Sequence, residues 1–149
     1  MIDLSLASND NERLALSLLK SMEDGTFRAE VHNLCTSDFV FANSGLPTIH
    51  GIAELEQFNA SGGFAKLIPI IATTRKFTVD MLNIASNGNV VFTERFDHFW
   101  DADGRDLMTP RICGIMEIRD GRVAAMREYY DTACYSQQPT DPHPDHISA

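Results

Sequence analysis

The sequence has few cysteines, and their spacing offers no way to join them. Cys35, Cys113 and Cys134 are the three thiols in 149 residues, an odd number without any CxxC pair. Disulfide frameworks use even numbers of cysteines, and zinc sites use closely spaced ones, so neither is expected. We therefore predict three reduced, buried thiols and no metal site or other cofactor.

Long hydrophobic runs and an excess of positive charge are also missing. No stretch approaches the roughly 18 apolar residues of a membrane span, and the N-terminus lacks the basic region of a signal peptide. Twelve Lys and Arg residues face 21 Asp and Glu residues, so the net charge is −9. Such a surface cannot neutralise the phosphates of nucleic acids or anionic lipids. These features predict a cytoplasmic protein that binds small molecules, with no nucleic-acid or membrane partner.

The remaining composition is typical of one globular domain. With 44% hydrophobic residues, the chain can build a core or an apolar cavity without disulfides. We predict that this domain spans residues 1–135. The segment 136–149 is rich in proline and polar residues, which predicts a flexible tail.

Helical patterns come first along the chain. Asn9 and Glu12 have the spacing of a helix N-cap and its reciprocal acid, and the amphipathic pattern that follows ends at residues 24–25. Apolar residues within 27–35 predict a second helix, and a third is predicted over 51–63.

Strand patterns dominate the second half. A first strand is predicted over 38–43, whereas the apolar stretch 64–71 with its proline fits either a helix end or an edge segment. From residue 75 apolar and polar residues alternate, which is typical of strands in an antiparallel meander. The tight turns are predicted at Asn87-Gly88, Asp103-Gly104 and Asp120-Gly121, and the strands between them at 89–100, 106–118 and 122–131. Helices before a sheet predict an α+β domain, with the helices covering one face of a curved, mainly antiparallel sheet.

The strand at 89–100 carries charges in its middle. Arg95 and Asp97 are two apart and therefore share a face, together with Val91 and Phe99. Charged residues on a strand commonly form a solvent-exposed ion pair. The alternative is that both side chains point into an apolar cavity.

The opposite face of this strand is apolar as well. Phe92, Phe96 and Trp100 alternate with the residues of the first face. One face must meet the helices or a cavity, and the other would be a large exposed patch if the same chain does not cover it. A large exposed apolar patch is rare on monomers, so the outer face predicts a homodimer contact.

Counting outward from the turns predicts which residues face each other. If both later turns are two-residue loops, Asp97 lies opposite Pro110, which lies opposite Asp131. The two carboxyls then share a face about 10 Å apart, two strands from each other. A one-residue bulge in either hairpin would place them on opposite faces. The neighbouring row on that face holds Arg95, Ile112 and Tyr129.

Two carboxyls with an arginine near both can act as an acid and a base. The guanidinium can hydrogen-bond to both groups, while their environments separate their pKa values. An apolar setting built from Phe99, Ile112 and Cys113 would raise the pKa of the carboxyl that gains least from the guanidinium.

Three motifs together resemble the limonene-1,2-epoxide hydrolases, cone-shaped α+β proteins of the SnoaL-like and NTF2-like superfamily. They are "FVFAN" at 39–43, "VVFTERFDHF" at 90–99 and "REYYD" at 127–131, and the layout agrees over most of the chain. The resemblance implies a cofactor-independent enzyme that hydrolyses an apolar, cyclic epoxide to a vicinal diol in one step. It implies Asp131 as general base, Asp97 as the protonated acid, Arg95 between them, and Asn43 as a residue that holds the water.

The wall of the predicted pocket includes one departure from the family pattern. The family has a tyrosine two positions before the asparagine, and this chain has Phe41 there, so one hydrogen bond to the water is absent. Tyr129 lies on the predicted pocket face and is a candidate to replace that phenol. The predicted substrate-binding residues are Phe41, Phe99, Ile112 and Tyr129.

Two other functions fit the same predicted pocket. SnoaL-like polyketide cyclases and ketosteroid-isomerase-like enzymes also use an acid in an apolar cone, but they remove a proton from carbon. A binding module would instead pair Arg95 with a ligand carboxylate. Because one fold supports unrelated functions, the fold alone does not choose among them.

Overall fold

Helical segments occupy most of the first half of the chain in the computed structural model, which describes residues 1–136. The α-helices of this part are α1 (Asp10–Glu23), α2 (Phe27–Leu34), α3 (Ile52–Ala60) and α4 (Gly63–Leu67). The strands are β1 (Cys35–Asn43), β2 (Ile49–His50), β3 (Lys76–Asn87), β4 (Val90–Trp100), β5 (Asp106–Met108), β6 (Arg111–Arg119) and β7 (Arg122–Tyr129). Short 3₁₀ helices lie at Leu4–Leu6, Pro69–Ile71 and Thr132–Tyr135. Residues 137–149 of the predicted tail lie outside the described residues.

The predicted N-cap of the first helix is confirmed. The Asn9 side-chain oxygen accepts a hydrogen bond from the Glu12 amide at 2.9 Å. The Glu12 carboxylate accepts one from the Ser8 amide and another from the Ser86 hydroxyl, each at 2.7 Å. Because Ser86 belongs to β3, this cap also ties α1 to the sheet.

The stretch 64–71, which the sequence left open, is a helix end. Helix α4 ends at Leu67, and a 3₁₀ turn begins at Pro69. Proline suits the first turn of a helix because its missing N–H would have no partner there.

The strands form one sheet in the order β2-β1-β7-β6-β4-β3, with β5 paired to the end of β4. Strands β1 and β7 are parallel, whereas the other pairs are antiparallel. The helices cover one face of this sheet, here called the inner face, so the predicted α+β class is confirmed. The buried cluster between helices and sheet includes Ala15, Leu16, Leu19, Val31, Phe39, Val79, Val91, Met116 and Met126.

The strand predicted over 106–118 is interrupted by a proline. Pro110 separates β5 from β6, since it has no N–H for the ladder. Its carbonyl still accepts a hydrogen bond from the Asp97 amide at 3.3 Å, and Arg95 lies opposite Ile112. The predicted pairing of Asp97 with Pro110 is therefore confirmed.

The pairing predicted between β6 and β7 is wrong over most of its length. Near the turn Ile118 lies opposite Val123, as predicted, but Glu117 lies opposite Ala125. Ala124 is thus an additional residue in β7, a one-residue β-bulge. Because side chains alternate between faces, the bulge moves every later residue of β7 to the other face.

The outer face of the sheet carries a buried histidine between two carboxylates, and it also carries exposed aromatic rings. His98 is buried there, with Nε2 3.0 Å from Asp80 and Nδ1 2.6 Å from Asp106. Phe92 is 40% exposed and Tyr129 is 50% exposed. The homodimer contact through this face stays a prediction.

Two further observations concern the features that the sequence lacks. Cys35, Cys113 and Cys134 are free thiols, but only Cys35 is buried, and Cys113 is exposed on the outer face. The prediction that all three are buried is therefore wrong. No helix within residues 1–136 combines the length and apolar character that crossing a bilayer requires.

Candidate active site

A cavity of about 350 Å³ lies between the inner face of the sheet and the helices. Its wall is mainly aliphatic and aromatic, with a few polar groups, most of them on the sheet side. The apolar part includes Met22, Phe27, Phe41, Leu55, Phe64, Ile71, Phe77, Phe99, Met108, Pro110, Ile112 and Met126, and the polar part comprises Arg28, Asn43, Asn59, Arg95, Asp97, Glu128 and Tyr130. A concave apolar pocket with few convergent polar groups is typical of a small-molecule site.

Arg95 is the centre of the polar part, and it is 1% exposed. Its Nε donates to Asp97 Oδ1 at 2.9 Å, and its Nη2 donates to Asp97 Oδ2 at 3.3 Å. Nη2 also donates to Glu128 Oε2 at 2.8 Å, and Nη1 donates to Thr93 Oγ1 at 3.0 Å. The guanidinium therefore fixes the positions of two buried carboxyls, one on β4 and one on β7.

Gly114 provides the space in which this cluster lies. It is opposite Thr93 on one side and opposite Glu128 on the other. A Cβ atom at Gly114 would lie 2.5 Å from Arg95 Nη1, 2.7 Å from Thr93 Oγ1 and 2.9 Å from Glu128 Oε2. These contacts are too short for any side chain, so only glycine allows the guanidinium to cross β6.

Replacing Gly114 with alanine is expected to lower the free energy of unfolding by about 1 to 3 kcal/mol, the usual cost of overpacking. The methyl group must displace Arg95 or the strand itself. Urea unfolding measures the effect. Cys113→Ala, on the exposed face of the same strand, is the matched control and should change stability by less than about 0.5 kcal/mol. Equal stability of the two variants would contradict the close packing.

Burial dominates the electrostatics of the two carboxyls. Burial raises the pKa of Asp97, and the charge and hydrogen bonds of Arg95 oppose this effect. Burial also raises the pKa of Glu128 from 4.5 to about 7, with Arg95 again opposing and the charge of Asp97 adding to the rise. Burial works against the charge of Arg95, but Asp97 and Glu128 keep its pKa above the ordinary value. One guanidinium balances only one carboxylate, so the cluster favours a state in which one carboxyl keeps its proton.

These shifts make stability depend on pH. A carboxyl with a raised pKa binds its proton more tightly in the folded state, so its contribution falls as pH rises from about 4.5 to about 7. For Glu128 the decline is on the order of 3 kcal/mol, and Asp97 adds to it in the same direction. Glu128→Gln should therefore lose less stability than the wild type between pH 4.5 and pH 8 in urea titrations.

Glu54→Gln, an exposed glutamate on α3, is the control for this pH series. Its pH profile should follow that of the wild type, which removes the contributions of other groups. A Glu128→Gln profile parallel to the wild type would contradict the raised pKa.

Asn43 lies beside this cluster at the end of β1, opposite Glu128 in the parallel pair. The Tyr130 hydroxyl lies 3.3 Å from Asn43 Oδ1 and 2.6 Å from the Tyr135 hydroxyl. Ser44 joins the strands at this point, because its hydroxyl accepts from the Tyr130 amide and donates to the Glu128 carbonyl. The end of β7 is thus held against β1 where the polar groups meet the cavity.

Six of the eight predicted site residues lie together, and two predicted placements are wrong. Asp97 and Arg95 are buried side by side, and Asn43, Phe41, Phe99 and Ile112 also line the cavity. Asp131 is exposed and caps the following 3₁₀ helix, where its Oδ1 accepts from the Ala133 amide at 2.9 Å. Tyr129 points to the outer face. The bulge at Ala124 explains both corrections.

Glu128 and Tyr130 line the cavity instead of Asp131 and Tyr129, and Glu128 lies opposite Gly114 rather than opposite Pro110. Both lie within the motif "REYYD", but the count from the turn put them on the wrong face. The available signal was the apolar pattern of β7. Val123 and Met126 are both buried although they are three residues apart, which strict alternation does not allow.

No group of three or more His, Cys, Asp or Glu side chains in residues 1–136 is arranged to hold a metal ion. The expected independence from cofactors stays a prediction.

Solved structures show the same architecture at low sequence identity. An LEH-like epoxide hydrolase from M. tuberculosis is 24% identical, with a TM-score of 0.63 over 85% of this chain and 86% of that one. A putative SnoaL-like polyketide cyclase from Jannaschia sp. CCS1 is 17% identical, with a TM-score of 0.64 over 86% and 93%. Another from Shewanella putrefaciens CN-32 is 12% identical, with a TM-score of 0.69 over 90% and 88%.

At these identities the structural likeness establishes the NTF2-like fold, which confirms the predicted cone architecture, and leaves the activity open. No curated protein matches the sequence. The sequence profile described as "Limonene-1,2-epoxide hydrolase catalytic domain" matches residues 9–138, nearly the whole chain. The chain therefore belongs to the limonene-1,2-epoxide hydrolase family.

Proposed function

We propose that this protein is a cofactor-independent epoxide hydrolase that converts an apolar, cyclic epoxide to a vicinal diol by direct attack of water. The observation that carries the proposal is the second oxygen of Glu128. Oε2 accepts from Arg95, whereas Oε1 is buried and has no hydrogen-bond partner among the described residues. A buried acceptor without a partner is costly, and a water molecule in the cavity would satisfy it.

Glu128 is the general base of this proposal, in place of the outward-facing Asp131. A carboxylate with a pKa of about 7 is a good proton acceptor at neutral pH, and one of its oxygens is already fixed by Arg95. It takes a proton from the water as the water oxygen attacks a ring carbon. Asn43 lies opposite Glu128 on the neighbouring strand, and in this proposal its side chain holds the same water.

Asp97 is the general acid. It lies on the other side of the guanidinium, among Phe99, Pro110 and Ile112 in the cavity wall. Its Oδ2 has the longer contact with Arg95, 3.3 Å, and is therefore the oxygen that carries the proton. As the ring C–O bond breaks, this proton passes to the departing oxygen, so neither an alkoxide nor a covalent intermediate forms. Ring strain in the epoxide supplies part of the driving force.

A single-turnover experiment in H₂¹⁸O tests the proposal. Excess enzyme is mixed with cyclohexene oxide or limonene 1,2-oxide, and the diol is analysed by mass spectrometry. Direct attack puts ¹⁸O into the diol in the first turnover. A covalent ester intermediate would deliver unlabelled carboxylate oxygen in that turnover, and absence of any diol from a panel of cyclic epoxides would reject the activity.

Removal of a proton from carbon is the alternative on the same cavity. Phe41 favours this alternative, because its phenyl ring cannot hydrogen-bond to a water molecule. Removal of a proton from carbon does not require a bound water. Glu128 would then abstract the proton and Asp97 would protonate the enolate. Deuterium exchange at the α-carbon of a cyclic ketone, without diol formation from epoxides, would identify this reaction.

A further inference from the structure

The hydroxyl groups beside Asn43 form a chain that ends at a backbone carbonyl. The Tyr135 hydroxyl donates to the Ser44 carbonyl, which cannot donate in return. The Tyr130 hydroxyl lies 2.6 Å from the Tyr135 hydroxyl. The next contact joins the Tyr130 hydroxyl to the Asn43 amide atom placed as Oδ1, at 3.3 Å.

The number of hydroxyl protons determines which group donates at each of these contacts. Each tyrosine has one hydroxyl proton, and that of Tyr135 is used on Ser44. The short contact between the two hydroxyls therefore needs the proton of Tyr130. Tyr130 then has no proton left for Asn43 Oδ1, so this contact is a hydrogen bond only when the amide is turned by 180° and its NH₂ group donates to Tyr130. The oxygen and nitrogen of an amide have nearly equal size, and their hydrogen-bond partners decide which occupies which position.

We propose that Tyr130 and Tyr135 are positioning residues that turn the Asn43 amide so that its NH₂ group faces Tyr130 and its oxygen faces the cavity. There the oxygen accepts one hydrogen bond from the attacking water, while Glu128 Oε1 accepts the other. The role of the amide in catalysis rests on the proposed function, but its orientation does not. Burial and the contact with Tyr135 raise the pKa of Tyr130, which agrees with a hydroxyl that keeps its proton.

This chain of hydroxyl groups predicts that one single variant loses more activity than the double variant. In Tyr135→Phe, the Tyr130 proton is released to Asn43, and the amide turns its NH₂ group toward the water, which then has no amide oxygen to accept its second proton. We expect kcat to fall at least roughly tenfold, the loss of one or more hydrogen bonds in the transition state, with KM within about twofold. Tyr130→Phe leaves the amide unconstrained and should cost less.

The double variant Tyr130→Phe/Tyr135→Phe should equal Tyr130→Phe and exceed Tyr135→Phe in kcat. A purely structural role of the two rings would give additive losses instead. Tyr129→Phe, on the outer face, is the matched control and should keep wild-type kcat and KM. Additive losses, or a harmless Tyr135→Phe, would overturn the proposal.

A second measurement does not depend on turnover. In ¹⁵N-labelled protein, nuclear Overhauser effects between the Asn43 side-chain NH₂ and the Tyr130 ring protons should be present in the wild type and in Tyr129→Phe, and lost in Tyr135→Phe. Their absence in the wild type would overturn the orientation. If they are present but the wild type hydrolyses no epoxide, the proposed function fails and the orientation of the amide is supported.

Discussion

Glu128→Gln is expected to lower kcat for epoxide hydrolysis on the order of 10³-fold, within the range attributed to a positioned general base. Glutamine keeps the size of the side chain, and its amide oxygen can still accept a hydrogen bond from Arg95 Nη2. Its amide NH₂ group, however, cannot take a proton from water. The measurement is steady-state diol formation at pH 7, combined with circular dichroism to show that the fold is intact.

Asp131→Asn is the matched control for this variant, because it changes the carboxyl that counting from the sequence would select. Asp131 is exposed and bonds to the Ala133 amide, a contact that asparagine can also make. We expect this variant to keep most of the wild-type activity. If Asp131→Asn lost activity and Glu128→Gln did not, the assignment of the base would be reversed and the cavity geometry would not explain it.

Arg95→Met is expected to lower the free energy of unfolding by about 3 to 5 kcal/mol at pH 7, the usual cost of breaking a buried ion pair on one side. Methionine fills part of the volume but leaves Asp97 and Glu128 buried without a cation. Urea unfolding at pH 7 measures the loss. At pH 5 the loss should be smaller, because two carboxyls without a guanidinium take up protons more readily and become neutral.

Arg13→Met, an exposed arginine on α1, is the control and should change stability by less than about 0.5 kcal/mol at either pH. A loss in Arg95→Met as small as in the control would mean that the buried cluster contributes nothing to folding. A loss that does not depend on pH would mean that the two carboxyls remain neutral in the wild type.

The local parts of the site follow from the sequence because they depend on neighbouring residues. Strand alternation places Arg95 and Asp97 on one face whatever the rest of the chain does. The hairpin count also placed Asp97 opposite Pro110 correctly, although Pro110 breaks the strand. The cap at Asn9 was predictable for the same reason, since the Asn9 oxygen and the Glu12 amide are only three residues apart.

The position of the second carboxyl did not follow, because it depends on a single inserted residue. Ala124 has no glycine or other turn signal beside it, and both Ala124 and its neighbour Ala125 fit either face. The bulge lets Val123 and Met126 both enter the core. The cost of the irregular pairing is offset by this burial, a balance between distant elements that a count along one strand does not include.

The sequence by itself determined the α+β class and the pair of opposite charges on one face of β4, since each arises from local patterns of residues. The tertiary structure decided that Glu128 rather than Asp131 meets the guanidinium, that Gly114 makes room for it, and that two tyrosines adjoin Asn43. These relations join strands far apart in the chain. They depend on register, burial and close packing, which are set only when the sheet and helices come together.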